Sequence, residues 1–207
     1  MSTSTLIGGR DTDDHSPPPH STHQPRGSPI DTLLIGASNI KRWTNFPKRL
    51  RNGHVNNVNL GVPGAQTADF LQSSYLGQVY RYCPQNTIYM AGNNDLREGV
   101  CPMYVIQNIC RLIAHLHNTY LMGQVRAKIV VCSLIHSMDL QTAKEKRLIN
   151  SINRQLREFC QALNTDQVVF VNLNRGLLPE YFIRDGIHFN AAGYKHVYTR
   201  LVTHLQS

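Results

Sequence analysis

Apolar and polar positions along the chain follow two alternating periods. Five segments are apolar runs or alternate apolar and polar residues with period two, which predicts strands at 31–37, 54–62, 86–92, 127–135 and 167–174. Four segments repeat apolar residues at helical spacing, which predicts helices at 67–83, 103–122, 142–163 and 191–205. The segment 40–51 is mixed, and Pro47 is expected to interrupt any helix there.

Strands that alternate with helices predict an α/β fold, with a five-stranded parallel sheet and helices on both faces. The run 127–135 is apolar enough for a strand buried on both faces. In the segment 67–83, Thr67 is the expected N-cap, and Pro84 follows the expected end of the helix. Ligands of such sheets bind beyond the carboxyl ends of the strands, so residues that follow the strands are the functional candidates.

Residues 1–29 differ from the rest of the chain in composition. They are rich in Ser, Thr, Pro and Gly and hold almost no large apolar side chains. Such a segment cannot bury enough surface to offset its ordering entropy, so we expect a disordered tail or linker before a single domain at 30–207. The tail lacks the apolar core of a signal peptide, and nowhere do about 18 apolar residues follow one another, as a membrane span requires.

The cysteines and the net charge indicate the cellular compartment of the protein and the partners that it binds. The five cysteines are odd in number and widely spaced, without a C-x-x-C pair, which favours a reduced cytoplasmic protein. No Cys/His cluster has the spacing of zinc ligands, and we expect neither metal nor cofactor. The net charge of +8 favours polyanionic partners, either RNA or an anionic membrane surface.

Residues that suit acyl transfer follow the predicted strands. Ser38 comes directly after the first strand, in LLIGAS, and Gly64 lies in the glycine-containing turn after the second. Asn94 follows the third strand, while Asp185 and His188 stand in the loop before the last helix. Together they provide a nucleophile, backbone and side-chain donors, and an acid–imidazole pair at the functional edge of the sheet.

Each residue type has a chemical reason to be there. A serine hydroxyl becomes an effective nucleophile when a base takes its proton, which His188 can do near neutral pH. Asp185 can accept a hydrogen bond from the other ring nitrogen and fix the tautomer. The backbone N–H groups of Ser38 and Gly64 and the Asn94 amide can form an oxyanion hole.

Each residue also has a plain structural reading. Ser38 alone is more often a helix cap than a nucleophile, Asn94 and Asp185 stand in ordinary turn sequences, and lone histidines are usually structural. The combination of all of them, each after a strand or before the last helix, favours a serine hydrolase. An α/β-hydrolase is disfavoured because Ser38 has no G-x-S-x-G elbow.

The order of these blocks resembles the SGNH (GDSL-like) hydrolase family over residues 31–205. The family's blocks G-D-S, Asn with a glycine turn, G-x-N-D and D-x-x-H are matched here by 36–38, 59–64, 92–95 and 185–188. The resemblance implies a three-layer flavodoxin-like fold, no metal, and hydrolysis of acyl esters of lipids, sugars or small alcohols. Ala37 stands where many members have an aspartate that braces the nucleophile loop, which puts the rigidity of that loop in question.

The chain also resembles, more narrowly, the esterase domain in the first open-reading-frame protein of LINE-type non-LTR retrotransposons. The compact chain, the high basic charge, the cysteines expected to be reduced and the Pro/Ser-rich leader carry this resemblance. In those proteins the domain follows a coiled coil and acts alongside RNA binding. The resemblance therefore implies RNA as a partner, and oligomerisation through a region outside this chain.

Some features keep two interpretations. Two clusters of basic residues are either solvated surface or phosphate-binding faces. The first cluster consists of Lys41, Arg42, Lys48, Arg49 and Arg51. The second consists of Lys144, Lys146, Arg147, Arg154 and Arg157. Trp43 and Phe46 form either an apolar lip beside Ser38 or part of the core. The segment 133–140 is expected to border the site, with His136 structural or in contact with substrate. Two functions follow: a serine esterase acting on short acyl or lipid esters, or a binding module on a catalytically weak hydrolase scaffold.

Overall fold

The computed structural model describes residues 27–44, 49–50, 53–54 and 56–205. Its strands are β1 (Ser28–Gly36), β2 (Arg49–Leu50), β3 (Gly53–His54), β4 (Asn57–Asn59), β5 (Tyr82–Met90), β6 (Lys128–Cys132) and β7 (Val168–Val171). Its α-helices are α1 (Ser38–Arg42), α2 (Ser73–Val79), α3 (Asn93–Arg97), α4 (Pro102–Met122), α5 (Ala143–Ala162) and α6 (Ala191–Leu201). Short 3₁₀ helices occur at Asp69–Leu71, Pro179–Tyr181 and Val202–His204.

Five strands form one parallel sheet in the order β4-β1-β5-β6-β7, while β2 and β3 make a separate two-residue antiparallel pair. The predicted α/β class, the five-stranded parallel sheet and the helices around it are confirmed. All five carboxyl ends lie at one edge of the sheet, and the loops that leave this edge hold the candidate site residues.

Side chains along each sheet strand alternate between two apolar cores. In β1, Leu33 and Ile35 face the core covered by α4 and α5, whereas Leu34 faces the core covered by α1 and α6. In β6, Ile129 and Val131 share the first core, and Val130 shares the second. This alternation explains why the central strands read as continuous apolar runs, since both of their faces are buried.

The long helices have the bounds that periodicity predicts, within one residue. Helix α4 begins with Pro102 in its first turn and ends at Gly123, and α5 begins with a capping box between Thr142 and Glu145. No helix in the described part of the chain is long and apolar enough to cross a membrane. No disulfide joins any of the five cysteines, all of which lie in the described ranges, and Cys132 and Cys160 are buried.

The predicted helix at 67–83 is wrong in its extent. Helix α2 begins only at Ser73, and Thr67 is a buried residue of the preceding loop rather than an N-cap. Pro84 does not follow a helix but lies inside β5. It is tolerated because β5 pairs only with β1 there, and pairing with β6 begins at Asn86.

Two further boundaries differ from the sequence pattern. β1 begins at Ser28, so residues 28 and 29 pair with β5 instead of belonging to the predicted tail. The predicted second strand at 54–62 is reduced to the three residues of β4 at the sheet edge. The predictions for residues 1–26 and for Pro47 lie outside the described residues.

Candidate active site

Ser38 is the first residue of α1 and follows β1 after one intervening residue. The N-cap position belongs to Ala37, so the capping interpretation of Ser38 does not hold. The sharp turn from strand to helix depends on Gly36, whose φ is +157°, because a Cβ there would lie 2.1 Å from the carbonyl oxygen of Met90. The turn leaves Ser38 half-buried at the carboxyl edge of the sheet.

Asp185 and His188 form a hydrogen-bonded pair. The Nδ1 of His188 lies 2.6 Å from Oδ2 of Asp185, and the other carboxylate oxygen accepts from the backbone N–H groups of Ile187 and His188 at 2.8 and 2.9 Å. Desolvation opposes ionisation, but these hydrogen bonds outweigh it and hold the pKa of Asp185 well below its usual range. The ionised carboxylate keeps the proton on Nδ1, and Nε2 remains the ring atom that can accept a proton from a nucleophile.

One cavity of about 360 Å³ joins the predicted site residues. Ser38, Gly64, Asn94 and His188 all line it, and Asp185 lies behind His188 through the hydrogen bond to its ring. The other lining residues are Lys41, Arg42, Pro63, Arg97 and Ile187. Residues up to 150 positions apart in the sequence therefore meet at the edge where the strand order predicts them.

The three residues of the candidate oxyanion hole line this cavity. Gly64 has φ of +73°, and a Cβ there would meet no protein atom within 4 Å, so its backbone is open to the cavity. The Asn94 amide donates one hydrogen bond from Nδ2 to the carbonyl of Ala65 at 2.9 Å. Since a side-chain amide carries two N–H donors, one stays available for a substrate oxygen.

Arg97 orients Asn94 and was not singled out from the sequence. Its Nη1 donates to Oδ1 of Asn94 at 3.1 Å, and its Nη2 donates to Ser137 and Asp139, each at 3.1 Å. Its Nε also pairs with Asp139. These bonds hold the oxygen of the Asn94 amide and thereby fix which way its nitrogen points. The only sequence signal was the position of Arg97 two residues after the G-N-N-D block.

Two asparagines brace the nucleophile helix. Asn39 donates to the carbonyl of Ile187 at 3.2 Å and accepts from the N–H of Phe189 at 3.1 Å, which ties α1 to the loop of the acid–imidazole pair. Asn59 donates to the carbonyl of Ile40 at 2.6 Å and accepts from the N–H of Gly61 at 2.9 Å. Ala37 stands where the resemblance implies an aspartate in many members, and these contacts hold the segment around Ser38.

Asp95 is structural although it belongs to the same block. It is buried and accepts from the backbone N–H of Thr67 at 3.0 Å and from the Thr67 hydroxyl at 2.6 Å. Burial raises the pKa of Asp95 against these hydrogen bonds. The contact ties α3, which holds Asn94, to the loop that holds Gly64.

Trp43, His136 and the first basic cluster each had two interpretations from the sequence. Trp43 is 3% exposed and stacks on Tyr194, so it belongs to the core and not to a lip. His136 lines none of the described cavities, whereas its neighbours Ser137 and Asp139 hold Arg97. Of the first basic cluster, Lys41 and Arg42 line the cavity that Ser38 and His188 share.

Several of the sequence predictions fall on residues whose positions or side chains are not described. These are Phe46, Lys48 and Arg51, together with the side chain of Arg49. Within the described ranges no group of three or more His, Cys, Asp or Glu side chains is arranged to hold a metal ion.

The fold has close counterparts among solved structures. A Streptococcus pneumonia protein provisionally assigned as a platelet activating factor superposes with a TM-score of 0.69 at 23% identity, over 90% of this chain and 88% of that one. A Bacteroides fragilis protein provisionally assigned as an acylhydrolase gives 0.65 at 18% identity, over 86% and 89%. A catalytic mutant of an acetylxylan esterase from Geobacillus stearothermophilus gives 0.64 at 14% identity, over 87% and 98%.

These identities are low, so the superpositions establish the fold alone. No curated protein matches the chain. The model of the GDSL-like lipase/acylhydrolase family matches residues 26–196, which include every residue that lines the cavity beside Ser38 and the Asp185–His188 pair. The chain belongs to the GDSL-like lipase/acylhydrolase family.

Proposed function

We propose that this protein is a serine esterase that hydrolyses short acyl esters, with Ser38 as nucleophile, His188 as general acid and base, and Asp185 as its orienting partner. The observation that carries the proposal is the 2.6 Å bond between His188 and Asp185 beside a cavity that Ser38 shares with Gly64 and Asn94. Solved structures of the Geobacillus stearothermophilus acetylxylan esterase include catalytic mutants at an aspartate and at a serine, which are the residue types proposed here.

The reaction proceeds in two steps. Oγ of Ser38 attacks the ester carbonyl while its proton passes to Nε2 of His188, and the resulting oxyanion accepts from the N–H groups of Ser38 and Gly64 and from the Asn94 amide. Collapse of this intermediate breaks the bond to the alcohol, which leaves with the proton from His188. Water then attacks the acyl-Ser38 ester by the same route, releasing the acid and restoring the serine.

A small pocket next to Ser38, separate from the larger cavity, favours short acyl groups. It encloses about 30 Å³ next to Ser38, and Met90, Asn93 and Ile135 help to line it. So small a space accommodates a group such as the methyl of an acetyl ester and leaves no room for a long chain. The alcohol half of the ester then occupies the larger cavity.

Hydrolysis of 4-nitrophenyl acetate, butyrate and octanoate by purified protein tests both statements. Ser38→Ala and His188→Ala should each lower kcat on the order of 10⁴-fold or more, since the members of a triad act as a unit. Ser74→Ala, an exposed serine of α2, is the matched control and should retain full activity. Wild-type turnover no faster than that of Ser38→Ala would refute the esterase, and a preference for octanoate would refute the short acyl group.

A second candidate function rests on α5, whose outer face exposes Lys144, Arg147, Arg154 and Arg157. In this proposal the fold is the RNA- or membrane-binding module of a retrotransposon protein, active in the cytoplasm and oligomeric through a region outside this chain. Salt-dependent binding of RNA or of anionic vesicles by Ser38→Ala would support it. The function fails if that binding is absent at low salt or survives loss of the four cations.

A further inference from the structure

A second large cavity lies beside the catalytic one. It encloses about 410 Å³, and its lining includes Arg42, Trp43, Phe189, Tyr194, Lys195 and Tyr198. Arg42 also lines the catalytic cavity, so the two cavities meet at this side chain. The proposed esterase reaction gives no role to this second space.

Helix α1 sets the distance between the two cavities. Ser38 and Arg42 are four residues apart on this helix, which places them one turn apart on the same face. If the alcohol half of an ester at Ser38 lies along this face of the helix, it points toward Arg42. A group on the far side of that alcohol then adjoins the second cavity, whose lining includes Arg42.

The floor of the second cavity is apolar and fixed. Trp43 stacks on Tyr194 with ring centroids 5.5 Å apart, and Phe189 meets the Tyr194 ring edge-on at 5.7 Å. The Tyr194 hydroxyl donates to the carbonyl of Asn39 at 2.9 Å, next to the nucleophile. A rigid aromatic floor of this kind favours a flat or apolar frame.

The rim of the cavity is cationic. Arg42 and Lys195 are both exposed, and neither is paired with a carboxylate among the residues that the structure describes. Lys41 adds a third positive charge at the mouth of the catalytic cavity. Unpaired cations above an apolar floor are complementary to an anion carried on an apolar frame, and guanidinium in particular binds carboxylate or phosphate through paired N–H groups.

We infer that the second cavity binds the leaving group of the substrate, and that this leaving group is an alcohol or phenol with an anionic carboxylate or phosphate on an apolar frame. Arg42 and Lys195 bind the anion, and the Tyr194 ring contacts the frame. The inference rests on the proposed esterase function for the position of the ester, but the cavity and its charges stand independently of catalysis.

A matched pair of esters isolates the charge. 4-Acetoxybenzoate and its methyl ester release the same acetyl group and differ at one position by one negative charge. We expect Arg42→Gln to lower the ratio of kcat/KM for the anionic over the neutral acetyl ester about tenfold, as loss of a hydrogen bond to a charged group implies, and Lys195→Gln to lower it less. Arg111→Gln, which removes the same charge from an exposed position of α4 that lines none of the described cavities, should leave the ratio unchanged.

Binding without turnover gives a second readout. Trp43 is the chain's single tryptophan and lines the second cavity, so its fluorescence reports occupancy there. In Ser38→Ala, which cannot form the acyl-enzyme, 4-acetoxybenzoate should change the Trp43 signal in a saturable and salt-sensitive way. Its methyl ester should bind more weakly, and adding Arg42→Gln should reduce the difference in affinity between the two esters about tenfold.

The kcat/KM ratio and the Trp43 fluorescence together distinguish a failure of the anion site from a failure of the proposed esterase function. If the wild type hydrolyses both esters, Ser38→Ala does not, and the ratio is insensitive to Arg42, the esterase stands and the anion site is wrong. If neither ester turns over but Ser38→Ala still binds the anion through Arg42, the site stands and the esterase is wrong. Equal binding of both esters in every variant overturns the anion site whatever the activity.

Discussion

At the scale of single residues, Arg97 shows how the site depends on groups that do not take part in the chemistry. Arg97 is held by Asp139 and Ser137 and donates to the oxygen of the Asn94 amide. If Asn94 supplies an oxyanion donor, Arg97 positions that donor. Its removal should therefore affect the transition state more than the binding of the ester.

We predict that Arg97→Ala lowers kcat for acetyl esters about tenfold with a smaller change in KM, which is less than the 100-fold or more expected for loss of the donor itself. Arg97→Lys, which keeps the charge but loses the fixed fork of donors, should recover only part of the rate. Steady-state kinetics of the wild type and both variants measure these effects on kcat and KM, and melting temperatures serve as the control for stability. A loss of stability with unchanged kcat would mean that Arg97 only holds the loop.

The lowered pKa of Asp185 predicts how the stability of the protein depends on pH. Its pKa is lowered in the folded protein, so the folded state binds fewer protons there than the unfolded chain. The stability from the ionised carboxylate is therefore present above the ordinary pKa of aspartate, about 3.9, and is lost as the pH falls toward the lower folded value. Above that window Asp185 stays charged and keeps His188 oriented.

The difference in melting temperature between wild type and Asp185→Asn should accordingly be constant from neutral pH down to about pH 5, and it should shrink below about pH 4. The same substitution should lower kcat on the order of 10³- to 10⁴-fold, because an amide at this place favours the wrong tautomer of the imidazole. A melting difference that already shrinks between pH 7 and pH 5 would contradict the low pKa of Asp185.

At the scale of elements, the sequence predicted the long helices well and the segment before β5 poorly. The apolar positions of α4 and α5 repeat over about twenty residues, and such long patterns determine a helix almost alone. In the segment 67–83 the apolar residues also recur at helical spacing, but Thr67 is held by Asp95 and the chain enters β5 at Tyr82. Contacts with distant residues override a short local pattern there.

The bond between Thr67 and Asp95 links the two elements that hold the candidate oxyanion donors. Asp95→Ala leaves the buried N–H and hydroxyl of Thr67 without this acceptor, and an unsatisfied buried polar group costs about 1–3 kcal/mol. We predict a loss of unfolding free energy in this range, measured by urea denaturation, together with a fall in kcat. Thr67→Val keeps the backbone bond to Asp95 and should cost less. Equal stability of Asp95→Ala and wild type would refute the structural role.

At the scale of the whole molecule, the site was predictable because of the topology of the sheet. In a parallel sheet all carboxyl ends share one edge, so Ser38, Gly64 and Asn94 had to meet there, and the D-x-x-H block pointed to His188. The supports of the site were not predictable. Asn39 contacts Ile187 and Phe189 across about 150 residues, and Asn93 bonds to Ile135, and no local pattern in the sequence announces such pairs.

The two apolar cores lie on opposite faces of one sheet. This arrangement predicts whether the two faces unfold together. Trp43 lies in the core under α1 and α6, whereas the longest helices, α4 and α5, cover the other face. Tryptophan fluorescence therefore reports one face, and far-ultraviolet circular dichroism chiefly reports the other. Since the central strands contribute side chains to both cores, we expect the two faces to unfold in one cooperative transition, as small single domains usually do.

In urea, the two signals should then give the same midpoint and the same slope. Leu112→Ala and Leu201→Ala each empty a fully buried site, in the first and second core respectively, and each should cost about 2–5 kcal/mol. Each substitution should shift both signals equally, although each reporter senses only one face. If Leu201→Ala moved the fluorescence midpoint and left the circular dichroism midpoint in place, the faces would unfold separately. The sheet would then not couple α1, which holds Ser38, to the core under α4 and α5.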